Sequence, residues 1–302
     1  MPKPHPKLRP ASAPLPSIDW PFSPPPPLST VIERQSISIS VSLVMETLPD
    51  KLTARIFDGL SLRDALNASH VSRAWNTHLV PYLRKTYNIN RYFEQAFPQS
   101  SRLLEVFRES GTLLSGSRAY TFFLPSERRF TKDSDWDIYV PFPHFNLVKA
   151  ELERQGFKTV PRNKEPHRPD LFEVFDFVNS SGHKVQANAL TAAWNLHACL
   201  KNFHTTVVQN FISGRACCSI RWGPTFDKMG YFAKRINATE YQEKETRKWN
   251  GRGVKLVPFK SRKTVMGDSV SAFVVYWPSG GKRKAFEHIR SEQLGKRFEE
   301  LH

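Results

Sequence analysis

The stretch Leu114 to Val140, LSGSRAYTFFLPSERRFTKDSDWDIYV, decides how the larger part of the chain is read. A short apolar run ends in Gly116 and Ser117, a helical segment follows, and after a polar loop the run Trp136 to Val140 returns as a strand. A glycine at a strand-to-helix turn lets a phosphate approach the backbone where free N–H groups and the helix dipole favour negative charge, and Ser117 adds a hydroxyl donor. Asp135 and Asp137 lie two apart on the strand, so both carboxylates face one side while Trp136 and Ile138 enter the other. Hard Mg²⁺ takes such oxygens together with phosphate and water. The same residues also have plainer meanings: a strand-to-helix turn with its N-cap, and a solvated loop edge in which Asp133, Asp135 and Asp137 meet Arg128, Arg129 and Lys132.

Around this stretch the pattern is α+β. Arg102 to Glu109 reads as a helix, Thr112 to Leu114 as a strand, Arg118 to Phe123 as a helix, and Phe145 to Gln155 as a helix stopped at Gly156. LFEVFDFVN, SSG and HKVQANAL read as a hairpin with a glycine turn, and Thr191 to Ile212 as a long core helix. Strand, Gly-Ser, helix, then Asp-x-Asp on the next strand resembles the nucleotidyltransferase superfamily. With SGSRAYTFF, SDWDIYV, GHKVQ and FHTTVVQNFIS, residues 105 to 230 more closely resemble a group of uncharacterised fungal proteins carrying that fold. The resemblance implies Gly116 and Ser117 as nucleotide-binding residues, Asp135 and Asp137 as Mg²⁺ ligands, and a third carboxylate on a neighbouring strand. On HKVQANAL the inward candidates are Lys184, Gln186 and Asn188, none of them acidic. A glutamine neither bridges metals as an anion nor takes a proton at neutral pH. Asp176 or Glu173, on opposite faces of the first hairpin arm, are the substitutes, with Asp133 a further candidate in the loop. A nucleotidyltransferase-like domain with impaired catalysis follows from this reading.

From Leu48 onward a helical pattern sets in, with Leu52, Ile56 and Leu60 at steps of four, then Leu62, Leu66, Val71 and Trp75, and Pro81 opening a further turn. Asp64 stands near a helix start and Ser69 is placed to cap the next helix. Three short helices in this space cannot cover all their apolar faces alone, so the next domain or a partner must do so. LPDKLTARIFDGLSLRDALNASHVSRAWNTHL resembles an F-box in its Leu-Pro start, its apolar first helix and its VSRxW end. Lys51 and Ala65 depart from that family's commonest residues. The resemblance implies that Leu48, Pro49, Leu52, Ile56 and Leu60 dock on the Skp-type adaptor of a cullin-RING ubiquitin ligase. It also implies that Val71 and Trp75 build the small core and that a C-terminal domain chooses the target protein.

Composition bounds the remainder. The 302 residues carry a formal charge of +16, which favours acidic partners such as nucleic acid, nucleotide, acidic protein or anionic lipid. Cys199, Cys217 and Cys218 provide no disulfide framework and no zinc spacing; the last two read as small buried residues of a strand. No run approaches the roughly 18 apolar residues of a membrane span and no secretory h-region opens the chain, so an intracellular protein, cytoplasmic or nuclear, is expected. Residues 1 to 44 are proline-rich and expected to be disordered, with Met45 as a candidate true start. His197 and His204 share a helix face but lack further ligands, and read as core or interface histidines. Beyond Gly230 lies a basic extension, with Lys234-Arg235, Arg247-Lys248, Lys260 to Lys263 and Lys282 to Lys284 among Trp249, Phe259 and Trp277. The strand SAFVVYW and a helix over Lys284 to Leu301 suggest that this extension packs on the domain.

The expected architecture is therefore a disordered segment over 1–44, a three-helix F-box-like subdomain over 45–90, a nucleotidyltransferase-like mixed sheet with helices over 91–230, and the basic extension over 231–302. Its expected function is that of an F-box adaptor with a recognition domain. An active Mg²⁺-dependent nucleotidyltransferase and a basic nucleic-acid-binding protein stay open as alternatives.

Overall fold

In a computed structural model, the described residues are 48–60, 64–65, 67–68, 73–161, 171–191, 199–200, 203–233, 239–258, 271–276 and 286–290. Expectations for residues 1–44, Met45, Leu62, Leu66, Ser69, Val71, His197, Phe259, Trp277 and the basic clusters at 234–235, 260–263 and 282–284 lie outside them. The chain divides at Leu48: one unit covers residues 1–48, the other Pro49 to the end. The second unit holds every element described below.

It begins with two packed helices, α1 (Asp50–Gly59) and α2 (Arg73–Thr86). In α1 the i, i+4 pair Thr53 and Phe57 turns inward, and Phe57 meets Trp75 and Tyr82 of α2 at ring-centroid distances of 5.6 and 5.1 Å. The Tyr82 hydroxyl donates to Asp58 at 2.8 Å, which closes the pair at its rim. Pro81 does not open a new turn: α2 runs through it without restarting. A proline inside a helix removes one N–H donor, and burial of Leu79 and Leu83 on the same helix offsets that loss.

The body is a nine-stranded mixed sheet in the order β11-β10-β7-β6-β1-β2-β5-β4-β3. These strands are β1 (Leu113–Ser115), β2 (Trp136–Pro141), β3 (Lys158–Val160), β4 (Leu171–Val178), β5 (Lys184–Leu190), β6 (Asn210–Ser213), β7 (Ala216–Ser219), β10 (Ser271–Tyr276) and β11 (Phe286–Arg290). Among its described strands only β2 and β5 run parallel. A parallel neighbour needs a crossover, which α6 (Phe145–Arg154) begins. One sheet face packs under α3 (Ile89–Phe93) and α4 (Ser100–Ser110), where Trp136 sits among Tyr92, Phe93 and Phe97 with centroids 5.0–5.5 Å apart. The other face carries Leu113, Tyr139, Leu190, Phe211, Cys218 and Val274. It packs with Tyr120 of α5 (Gly116–Phe122) and the fully buried Trp249 of α8 (Thr239–Asn250). Between β7 and β10 in sequence lie the short α7 (Trp222–Phe226), α8, and a parallel pair that brackets α8, β8 (Met229–Tyr231) with β9 (Lys255–Val257).

Two helix expectations are corrected. Thr191 to Ile212 is not one helix: among its described residues only Cys199 and Leu200 are α-helical, a 3₁₀ turn spans Thr206–Val208, and β6 begins at Asn210. Strand pairing overrides the local apolar period, because β6 finds partners on both sides in β1 and β7. The hairpin turn lies so close to α4 that a Cβ on Gly214 would collide with the backbone of Leu104 and Arg108. Within Lys284 to Leu301, Phe286–Arg290 is the edge strand β11 paired with β10. The local pattern of that segment gave no sign of the strand that awaited it.

Candidate functional site

On α1 an apolar edge flanking the Thr53–Phe57 face is uncovered: Leu52 is 45% and Ile56 38% exposed, against 2% for Phe57. Pro49 is exposed at the N-cap position, and Leu48 and Leu60 are half-buried. Pro49 accepts the amide of Leu52 and the hydroxyl of Thr53, so it starts the helix without a side-chain cap. Trp75, expected in the small core, packs edge-on to Phe57. An amphipathic helix clamped by one face, with an adjoining apolar edge left bare, offers a groove or flat partner an apolar ridge.

A second constellation lies where β1 ends and β2 begins. Cross-strand register places Ser115, Asp137, Gln186 and Asp176 in one row over β1, β2, β5 and β4. Gly116 follows Ser115 with φ +73°, and a Cβ there would run into the Asp137 carboxylate, whose Cγ would stand 3.1 Å away. Glycine is required twice at this point, by the left-handed backbone and by the close approach of Asp137. Ser117 is buried in the first turn of α5. The Asp137 carboxyl is pushed up to about 7, by burial first and then by the charge of Asp135, against the opposing charges of Lys248, Arg252 and Arg118.

The cations around this carboxyl were not found from motifs. Arg118 spends its Nε on the Ser134 carbonyl (3.1 Å) and its Nη2 on that of Lys132 (2.7 Å), so it holds the loop that delivers Asp135. Arg252 donates from Nη2 to the Ser134 hydroxyl at 3.0 Å, lies over the Trp249 ring, and keeps a buried Nη1 without an acceptor. Arg128, an expected partner of the acidic loop, turns away to the carbonyls of Thr86 and Phe122. Trp249 is fully buried, which removes it as a ring for stacking on bases. Its Nε1 donates to Glu245, which also meets His204 at 3.3 Å, so His204 is an interface histidine. Burial raises the Glu245 carboxyl, but the bond to His204 and the charge of Lys248 outweigh it and hold the group at about 2. Cys217 and Cys218 are buried in β7, and burial pushes both thiols up.

Glu173 is exposed and opposite Ala189, three positions from Asp176, so the two acids lie on different faces. Asp176 shares the face of Asp137 but stands two strand spacings away, about 10 Å between backbones, with Gln186 between and donating to it at 3.4 Å. Asp133 is exposed in the loop. Among the described residues, no group of three or more His, Cys, Asp or Glu side chains gathers closely enough to hold a metal ion. The donor chemistry of Asp135 and Asp137 fits a single Mg²⁺ completed by phosphate oxygens and water. It does not fit a pair of bridged metals, which need a further carboxylate in reach.

Among the described residues, no helix is long and apolar enough to cross a membrane. In comparisons with known proteins, residues 45–89 match the F-box-like family model. No curated protein and no solved structure matches the chain. The matched residues contain α1, α2 and the exposed Leu52–Ile56 ridge.

Proposed function

We propose that the chain is an F-box adaptor: α1 docks on a Skp-type subunit of a cullin-RING ubiquitin ligase, and the sheet domain selects the protein to be modified. The observation that carries this reading is the apolar ridge of Leu52 and Ile56, left bare inside the segment that matches the F-box-like family. Docking through Leu48, Pro49, Leu52, Ile56 and Leu60 would cover that ridge and supply the apolar contact the helix pair lacks on that side. Work inside the cell, in cytoplasm or nucleus, belongs to the same reading. Its test is reconstitution. Purified full chain is mixed with a purified Skp-type adaptor and passed over a sizing column; co-elution supports the reading, and separate elution under dilute-salt conditions sinks it.

The sheet domain is read as nucleotidyltransferase-like, with nucleotide retained and turnover lost. Support comes from the order β1, Gly116-Ser117, α5, Asp135-Asp137 and from the parallel neighbour β5. Gly116 and Ser117 would face the phosphates, and Asp135 and Asp137 would hold Mg²⁺, which supplies charge neutralisation when bound. The place of the missing third carboxylate is taken by Gln186, with Asp176 one strand beyond it. Gln186 lacks the charge and the basicity to deprotonate an attacking hydroxyl. Incubation with labelled nucleoside triphosphate, Mg²⁺ and candidate acceptors should give no transfer; transfer abolished by Asp137→Ala would make the domain an active enzyme.

A further inference from the structure

Between Asp64 and Glu94 the chain carries no acidic residue, while Arg73, Arg84, Lys85 and Arg91 fall inside that stretch. The structure gathers part of this charge where α2 meets the sheet domain. Arg84 and Lys85 stand in the last turn of α2, and Arg91 lies in α3, which begins at Ile89, just after α2 ends at Thr86. Arg128, in the 3₁₀ helix Pro125–Thr131, reaches the same place. Its Nη2 donates to the Thr86 carbonyl at 3.1 Å and its guanidinium lies 5.1 Å over the Tyr92 ring, so it touches the chain on both sides of Arg91. Arg129 follows it and is exposed, as are Arg84, Lys85 and Arg91. Among the described residues, none of these four exposed cations makes an ion pair. Glu127, the acid of that 3₁₀ helix, is buried and taken by Lys228 at 2.5 Å, and Asp58 of α1 is taken by the Tyr82 hydroxyl. A helix C-terminus favours cations at its free carbonyls, which accounts for Arg128 but not for four further cations left without a counter-charge.

We infer that Arg84, Lys85, Arg91 and Arg129 form a docking surface for an acidic polypeptide segment, rich in Asp and Glu, on the protein to be modified. The inference rests on the adaptor reading for what that protein is, and adds the chemistry of the segment it presents. Cations held together raise the local potential, and an acidic partner lowers it. Arg128 fixes the backbones that carry them, because the same Nη2 that meets Thr86 also donates to the Phe122 carbonyl at 3.4 Å and so ties α2 to α5. Little order is then lost from this side when a partner binds. Nucleic acid would answer the same charge, but a single strand also takes rings on which its bases stack. The rings at this place, Tyr87, Tyr92 and Phe122, are buried, and Phe130 is half-buried with the Arg129 guanidinium over it at 4.6 Å. The surface therefore offers charge and N–H donors without a stacking face, which suits carboxylates. The three arginines present paired donors to them and Lys85 a point charge.

The test is fluorescence anisotropy of a labelled oligo-glutamate peptide titrated with the full chain at low salt. Wild type is expected to bind, and the affinity to fall as salt is added. Arg84→Gln, Lys85→Gln, Arg91→Gln and Arg129→Gln together are expected to weaken binding at least about tenfold, the loss of four exposed charge contacts. A second fourfold variant of equal net charge, with Arg108, Lys158, Arg215 and Lys255 each changed to Gln, separates this surface from the charge of the whole chain, since those residues are exposed elsewhere. It is expected to bind like wild type, and an equal loss in both variants overturns the surface. So does a wild type that leaves the peptide free, or a first variant that binds it unchanged. An oligo-uridylate of the same charge that binds more tightly than the peptide, and is lost in the first variant, overturns the choice of partner. Should the first variant shift the urea midpoint, Arg84→Gln with Arg129→Gln carries the test; a loss of at least about threefold is expected, and none refutes the inference. Adaptor binding is measured on the same preparations. A chain that binds the adaptor but not the peptide sinks this inference alone, and one that binds the peptide through these cations but not the adaptor keeps the surface and loses the adaptor reading.

Discussion

Replacing Asp137 with asparagine should stabilise the fold at neutral pH and leave it unchanged in acid. The Asp137 carboxyl stands at about 7 in the folded chain against 3.8 as its ordinary value, because burial and the charge of Asp135 disfavour its ionised form. Between those two values the folded state holds a proton that the unfolded state has released, so stability falls as pH rises through this window and is flat above it. At about 1.36 kcal/mol for each pH unit, the full gap corresponds to about 4 kcal/mol. Partial access of water to the side chain reduces this to roughly 2–4 kcal/mol. The neutral amide carries no such penalty and keeps the shape that Gly116 accommodates. Urea denaturation of wild type and Asp137→Asn at pH 3.5, 5 and 8, in the presence of EDTA, should show curves that coincide at the lowest pH and separate progressively above it. A variant equally stable to wild type at pH 8, or destabilised there, would refute the claim that this carboxyl is strained by burial beside Asp135. Adding Mg²⁺ to wild type at pH 8 should recover part of the difference, since a bound cation favours the ionised form.

Gly116→Ala should cost about 1–2 kcal/mol from the left-handed backbone alone, and should displace the Asp137 carboxylate, detectable as a changed Asp137 titration by NMR. Glu245→Gln should destabilise the chain by roughly 1–3 kcal/mol above pH 5, because the acceptor of His204, Lys248 and Trp249 loses its charge. Glu245 is depressed to about 2 from 4.5, so in wild type that contribution is present above 4.5 and fades as pH falls towards 2; thermal melts at pH 7 and pH 2.5 would reveal a difference that shrinks in acid. Phe57→Ala should cost about 3–5 kcal/mol locally by emptying the space between α1 and α2, seen as faster hydrogen exchange in α1 while amides of the sheet stay protected.

The elements legible in the sequence were those in which local pattern and tertiary partner agree. The α1 ridge, the α4 and α6 helices, the β4–β5 hairpin and the turn at Gly116 each follow from spacing, turn residues or a cap within a few positions. Phe211 and Ile212 read as the end of a helix because their apolar period is ambiguous over a short run, and only the pairing of β6 with β1 and β7 resolves it. The candidate site was legible on its acidic side, where Asp137 lies on β2 and Asp135 stands one position before that strand. Its basic side was hidden because Lys248 and Arg252 lie in a region that reads simply as charged, and no local signal tells which cations of a basic segment turn inward. The strand SAFVVYW signalled that the extension packs on the domain, and the structure adds that Trp249, in a helix end rich in charge, is fully buried.

The central claim is that Leu52 and Ile56 form a docking ridge, and calorimetric titration of the full chain with a purified Skp-type adaptor tests it most directly. Both side chains are exposed, so Leu52→Asp with Ile56→Asp should leave the urea midpoint nearly unchanged. The same pair should weaken adaptor binding by at least about 100-fold, because two apolar contacts are lost and two charges are placed in a desolvated interface. Tight binding by wild type and loss in the stable double variant is the predicted result. Binding that survives the double substitution, or a wild type that does not bind, would contradict the account.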